Sequence, residues 1–263
     1  MIRYFNHETP AMSHTLYCKK SGEGPRAIFW GHGWGQDHRA FEPLAESLSR
    51  LGRHVVLDFP GFGTSPEPQA IWGTEDYADA MADFIRAQTG EGEKIIWCGH
   101  SFGGRVGVQL AARHPDLVAG LFLVAAAGLP RKRPLWQKLY FKGRVALFKT
   151  LKKLIPLGLS EEWLKTKFGS ADYKNVSGTM RGIFVRTVNE DLSTVAQSVS
   201  CPVLLMYGTQ DSETPPEIGR RYAQLIPRAE MIELEGLDHY TVLGAGRHQL
   251  ASALQRFIKN LDE

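Results

Sequence analysis

Cysteine is scarce in this 263-residue chain: Cys18, Cys98 and Cys201 are scattered and odd in number. Three such thiols make no disulfide framework, and a core of this size needs none, so a reducing, cytoplasmic setting is expected. Cys98 and Cys201 lie in or beside apolar runs and read as small buried residues. Long hydrophobic runs are also missing. No stretch approaches the ~20 apolar residues that a membrane span needs. Residues 1–17 carry Asn, His, Glu, Pro and Ser with no apolar core, so no signal peptide is expected. The nine histidines form no His-X-X-X-His pair and the cysteines no Cys-X-X-Cys, so no metal site is expected. Internal repeats and low-complexity tracts are absent.

What is present is an ordinary globular composition, 43% hydrophobic and 22% charged, of a length that suits one large α/β domain or two small ones. The net charge is only +3, yet Leu129 to Glu190 holds fourteen Lys and Arg against four Asp and Glu, a local net of +10. That asymmetry marks the segment as a unit of its own. Within it, Leu135, Trp136, Leu139, Tyr140, Leu147, Phe148, Leu151, Leu154 and Ile155 recur at helical spacing. Lys138, Lys142, Lys149 and Lys153 fall on another face. The expected organisation is a core of residues 1–128 and 191–263, with a basic helical cap, 129–190, inserted between them.

The core reads as alternating strands and helices. Ile2–Asn6 and Thr15–Lys19 suggest a hairpin at a sheet edge. Short apolar strands are predicted at 27–30, 54–58, 95–98, 121–125, 202–207 and 229–234. Helices are predicted at about 40–51, 74–89, after Gly103 as far as His114, 216–225 and 248–261. On the second of these, Tyr77, Met81, Phe84 and Ile85 share a face. Continuous apolar strands between amphipathic helices mean a mostly parallel sheet covered on both sides.

The most informative stretch is Ile95-Ile96-Trp97-Cys98-Gly99-His100-Ser101-Phe102-Gly103-Gly104. An apolar run enters a Gly-X-Ser-X-Gly turn and a helical pattern leaves it, which is the nucleophile-elbow signature. Such a turn strains the serine backbone and needs glycines where backbones pass closely. The following helix would aim its first N–H groups at the serine, where a developing negative charge needs donors.

A serine hydroxyl is a poor nucleophile at neutral pH and needs an adjacent base. A histidine can take and return its proton, and a carboxylate must then fix the imidazole. The order expected for this arrangement is Ser, acid, His. Asp211 follows an apolar strand at its carboxyl end, where sites of parallel sheets lie. A helix-entry cap ahead of Pro215 is its alternative role. Glu213 is the runner-up acid, deeper in the same loop. Asp238 is adjacent to the base in sequence, and Asp58 precedes the nucleophile and is expected to cap the loop at Gly61. His239 follows the last strand and Gly236, with a solvated loop histidine as the alternative. His100 sits inside the elbow with the wrong geometry for a base, and His32 is expected to brace its loop by hydrogen bonds.

These motifs resemble one family. His32-Gly33-Trp34-Gly35, Gly61-Phe62-Gly63-Thr64-Ser65, Gly99 to Gly103, Gly208-Thr209-Gln210-Asp211 and Asp238-His239 make the chain similar to α/β-hydrolases with a helical cap, over nearly its whole length. Within that family it resembles the serine carboxylesterases that include the pimeloyl-carrier-protein methyl ester esterases, and also the meta-cleavage-product C–C hydrolases. The resemblance implies the fold, the Ser101, Asp211 and His239 triad, and no cofactor. Elbow geometry assigns one oxyanion donor to the Phe102 amide. The resemblance assigns the second to the Trp34 amide, core packing being the other role open to Trp34.

Serine at the elbow separates this chain from relatives that use an aspartate nucleophile, the haloalkane dehalogenases and epoxide hydrolases. It directs the chemistry to ester, thioester or C–C acyl cleavage. The C–C hydrolases carry Asn where this chain has His100, which favours a carboxylic ester. A ligand receptor on the same fold is the non-catalytic alternative. Trp136, Tyr140, Trp163, Phe184 and Tyr240 are expected to shape the substrate pocket. The basic cap reads in three ways: a solvated face, a site for an anionic substrate or carrier such as an acyl-carrier protein, or a peripheral contact with anionic lipid. No nucleic-acid motif accompanies the charge.

Overall fold

The computed structural model describes residues 3–5, 16–131, 143, 146–147, 150–151, 176 and 178–262. Eight strands form one sheet: β1 (Arg3–Phe5), β2 (Leu16–Ser21), β3 (Arg26–Gly31), β4 (Gly52–Leu57), β5 (Ile95–His100), β6 (Val118–Val124), β7 (Val203–Gly208) and β8 (Ala229–Leu234). Their order is β1-β2-β4-β3-β5-β6-β7-β8. The hairpin β1–β2 and the β2–β4 pair are antiparallel, and every other pair is parallel.

The helices that flank the sheet or border the site include α1 (Glu42–Ser47), α2 (Thr74–Gln88), α3 (Phe102–Arg113), α4 (Gly178–Asn189), α5 (Ser193–Gln197), α6 (Pro216–Leu225), α7 (Thr241–Gly244) and α8 (Arg247–Asp262). Side chains alternate across a strand, so each central strand feeds two cores. Phe29, Trp97, Leu123 and Leu205 pack on one face with α2, α3 and α6. Ile28, Ile96, Cys98, Phe122 and Met206 pack on the other with α1 and α8. Burial on both faces is why β5 and β7 read as unbroken apolar runs. The edge strand β8 carries the exposed Glu230 and Glu233 instead.

Two expectations need correction. The helix predicted over 40–51 is a 3-10 turn at His38–Ala40 followed by a short α1. Pro43 fits only a first helical turn, and beyond Ser47 the chain tightens into three-residue hydrogen bonds, Ser49 N to Glu46 O and Leu51 N to Leu48 O. Cys98 is buried as expected, but Cys201 is only half-buried, while Cys18 is buried. Of the helical reading of 132–175, the described residues Gly143, Ala146, Leu147, Thr150 and Leu151 are helical; the remainder, with Trp136, Tyr140 and Trp163, lies outside the described residues. No helix among the described residues is long and apolar enough to cross a membrane.

Because β3 to β8 run the same way, their carboxyl ends gather one set of loops. These loops carry His32 to Gln36, Asp58 to Ser65, Ser101, Ala125 to Leu129, Asp211 to Thr214 and Asp238 to Tyr240. The segment that reads as an insert is tied to the core beside them. Arg131 donates to the carbonyls of Ser212 and Glu213. Arg105 of α3 donates to Thr187 O on α4 at 2.7 Å.

Candidate active site

The site begins with the strained turn between β5 and α3. Ser101 has φ 48° and ψ −102°, a left-handed conformation that costs a non-glycine residue about 1–3 kcal/mol. Two glycines make the turn sterically possible. A Cβ on Gly99 would lie 2.3 Å from Gly103 O, and one on Gly103 only 2.0 Å from Gly31 O. Hydrogen bonds hold the strain in place: Ser101 N donates to Val124 O, and Ser101 O accepts from Gly104, Arg105 and Ala127.

The loops after β7 and β8 bring the other two residues in. His239 Nε2 lies 3.0 Å from Ser101 Oγ, and His239 Nδ1 lies 2.7 Å from Asp211 Oδ2. Asp211 and His239 are 3% and 6% exposed, so water competes little for these bonds. Asp211 Oδ1 accepts from the Glu213 and Thr214 backbone N–H groups at 2.8 and 2.7 Å. Burial alone would raise the pKa of the Asp211 carboxyl. The hydrogen bonds from His239 and Thr214 outweigh that and hold it below the ordinary value. An acceptor-only carboxylate facing Nδ1 requires a proton there, which leaves Nε2 free to accept from Ser101.

The rival residues are engaged elsewhere. Asp58 caps its loop, accepting from His38 N, Thr64 N and Thr64 Oγ1. With Asp37 and His38 it forms a three-ligand cluster, but Asp37 is held by Arg39 and Asp58 by His38 and Thr64. Asp238 caps α7 through Tyr240 N and Thr241 N, and Glu213 is exposed. His32 braces its loop from a buried position that pushes its pKa down to about 4. His100 is buried as well, and burial followed by the neighbouring His239 pushes its pKa down to about 3.

Opposite the histidine lies the turn Gly33-Trp34-Gly35-Gln36. Gln36 N donates to Gly33 O at 3.2 Å, and Gly35 has φ 72°, as the third residue of a type II turn requires. Among the described residues, neither Trp34 N nor Phe102 N meets a protein acceptor. The Trp34 ring packs against Phe62, Phe102 and Phe184 at centroid distances of 4.9, 5.4 and 5.1 Å. Phe184 of α4 thus joins this aromatic wall. Tyr240 stands edge-on to the His239 ring, 5.2 Å away, at an outer position that is 63% exposed.

Two residues at this centre were not singled out from sequence. Thr214 Oγ1 contacts Asp211 Oδ2 at 2.9 Å, Ala125 O at 2.9 Å and His239 Nδ1 at 3.0 Å. Gln36 Oε1 contacts Gly33 N at 2.8 Å and His100 Nδ1 at 3.0 Å. The signal for Thr214 was its place three residues after Asp211 and before Pro215, where a hydroxyl can close an Asx-type loop. Nothing in the local sequence marked Gln36.

A profile described as alpha/beta hydrolase fold matches residues 27–245. The chain belongs to the alpha/beta hydrolase fold family. It is 28% identical over 240 residues to a pimeloyl-[acyl-carrier protein] methyl ester esterase of Chromobacterium violaceum, covering 85% of this chain and 91% of that one. It is 29% identical over 247 residues to the AB hydrolase superfamily protein YisY of Bacillus subtilis, covering 86% and 88%. Among solved structures, a thermophilic esterase from Thermogutta terrifontis superposes with a TM-score of 0.72 over 99% of both chains, at 20% identity, which is a likeness of fold. Family and relatives together make this chain a hydrolase.

Proposed function

We propose that this hydrolase cleaves carboxylic esters through an acyl-enzyme on Ser101. His239 takes the hydroxyl proton as Ser101 attacks the acyl carbon, and Asp211 orients the imidazole and stabilises its charged form. The Trp34 and Phe102 amides receive the oxyanion. His239 returns the proton to the leaving alcohol. It then activates the water that releases the acid. The observation that carries this reading is the unbroken chain from Ser101 Oγ to His239 Nε2 at 3.0 Å and from His239 Nδ1 to Asp211 Oδ2 at 2.7 Å, with the serine held left-handed.

For the substrate, the reading is a methyl ester whose acyl chain is carried by an acyl-carrier protein. The match to the Chromobacterium esterase supports it, and so does the net +10 of residues 129–190, the charge sign an acidic carrier requires. We assign residues 129–190 to a cap over the site, with the core formed by 1–128 and 191–263, and we place the protein in the cytoplasm. An ester panel of graded acyl length, with a carrier-linked methyl ester included, tests the assignment. Turnover of p-nitrophenyl butyrate and of the carrier-linked ester, both abolished in Ser101→Ala, is the expected result. Retained turnover in Ser101→Ala removes the triad reading. Turnover of free esters with none of the carrier-linked one removes the carrier.

A further inference from the structure

The peptide joining Gly33 to Trp34 is gripped more firmly than its turn requires. Its oxygen, Gly33 O, accepts from Gln36 N at 3.2 Å and lies 2.7 Å from His32 Nδ1. His32 Nε2 accepts the Phe59 N–H at 3.1 Å, so the single proton of the neutral ring sits on Nδ1 and points at Gly33 O. On the other side of the same residue, Gly33 N donates to Gln36 Oε1 at 2.8 Å. Gln36 therefore holds both polar groups of Gly33. There is no room for a side chain between them, since a Cβ on Gly33 would lie 2.7 Å from both Gln36 Oε1 and His100 Nδ1.

A trans peptide is planar, with its C=O and N–H pointing opposite ways. Pinning Gly33 O on one side of the turn thus directs the Trp34 N–H to the other. The Gln36 carboxamide also abuts the elbow and the base loop. Its oxygen faces His100 Nδ1 at 3.0 Å, and His100 Nε2 faces the His239 carbonyl at 3.0 Å. This side chain accordingly connects the turn bearing Trp34 to the residue before Ser101, whose ring in turn reaches the backbone of His239.

We propose that Gln36 is a positioning residue for the oxyanion hole: by holding Gly33 at both ends and resting on His100, it fixes the direction of the Trp34 N–H relative to Ser101. This rests on the reading of Ser101 as nucleophile and Trp34 as oxyanion donor. Without the Gln36 oxygen the Gly33 N–H loses its acceptor and the turn loses its rest on His100; the 33–34 peptide, still held at Gly33 O by His32 Nδ1 and the Gln36 backbone N–H, then shifts with the turn relative to Ser101. The donor is then misdirected in the transition state, while binding of the ground-state ester is little changed.

Gln36→Met keeps the length and volume of the side chain and removes the acceptor. Its kcat on p-nitrophenyl butyrate is expected to fall roughly 10- to 100-fold, with KM within about threefold of the parent. Affinity for a trifluoromethyl ketone, which forms an oxyanion on the serine, should fall in parallel with kcat. Gln36→Glu retains an oxygen at the same place and should recover most of kcat. A structural role alone would lower the melting temperature and leave the kcat-to-KM split and the inhibitor affinity unmoved. Gln36→Leu, read in the same way, replaces Gln36→Met if that variant does not fold. A kcat for Gln36→Met within about threefold of the parent overturns the inference, as does a Gln36→Glu enzyme equally impaired. Ser101→Ala measured alongside separates the two levels. Turnover retained there removes the triad reading itself, whereas its loss beside a fully active Gln36→Met removes only the role of Gln36.

Discussion

The two flanks of Ser101 are built from different parts of the chain. On the flank towards β7 and β8 the polar work is done by side chains: His239, Asp211 and the Thr214 hydroxyl, all buried. On the flank towards β3 the proposed oxyanion donors are backbone amides, and the side chains His32, Gln36 and His100 bond to the backbone and to one another. A side chain can be deleted outright by one substitution. An amide cannot, and it yields only to changes in whatever orients it. The first flank should therefore fail abruptly under mutation, and the second by degrees.

The steepest fall is expected at the proposed nucleophile, where Ser101→Ala should lower kcat by roughly 10⁶-fold. Next comes Asp211, the proposed acid. Asp211→Asn presents an amide that holds the imidazole in the wrong tautomer, and a kcat loss of roughly 10⁴-fold is expected with the fold retained. Steady-state kinetics on p-nitrophenyl butyrate, beside a melting curve, measures both. The Gln36 variants should fall well short of these losses. If Gln36→Met were as damaging as Asp211→Asn, the contrast between the flanks would disappear.

Thr214→Val sharpens the comparison within the first flank. It removes one hydrogen bond to the Asp211 carboxylate and leaves the Thr214 backbone donor in place. Since a hydrogen bond to a charged group is worth about 1.5–3 kcal/mol, of which the backbone donors keep a share, a kcat loss of about tenfold is expected. Thr214→Ser should restore it.

The smallest effect at neutral pH is on stability and belongs to the second flank. His32 and His100 have folded-state pKa values of about 4 and about 3, both below the 6.5 of an exposed histidine. As pH falls below 6.5 the unfolded chain therefore takes up protons that the folded chain refuses. Stability is full above that pH and is lost progressively at about 1.4 kcal/mol per pH unit for each histidine, down to about pH 4 for His32 and about pH 3 for His100. The depressed Asp211 adds a loss of the same sign at the acid end of this window. Urea midpoints at pH 7, 5 and 4 should fall in that order, and His100→Gln should flatten the decline. An unchanged midpoint between pH 7 and 4 contradicts the burial argument.

How much of this was legible before the structure differs between the flanks for the same reason. Ser101, Asp211 and His239 are chemically distinctive residues at the ends of apolar strands, so spacing and chain order alone point to them. The strand at Ala229–Leu234 and the helix at Pro216–Leu225 were equally plain, bounded by Pro, Gly and charge. Gln36 was not legible, because its partner His100 lies 64 residues away and a glutamine has no chemical signature. Thr214 depends in the same way on His239, 25 residues further on. Tyr240, grouped by sequence with the pocket aromatics, stands mostly in solvent against the His239 ring, an exposure that no pattern of residues could report.

The proposed function turns on the activation of Ser101 by His239 to form an acyl-enzyme. Intact-protein and peptide mass spectrometry after treatment with a fluorophosphonate tests it most directly. One adduct is expected, on the peptide carrying Ser101, absent from Ser101→Ala and slowed by orders of magnitude in Asp211→Asn. No adduct on the folded parent protein, or an adduct on another residue that persists in Ser101→Ala, would contradict it.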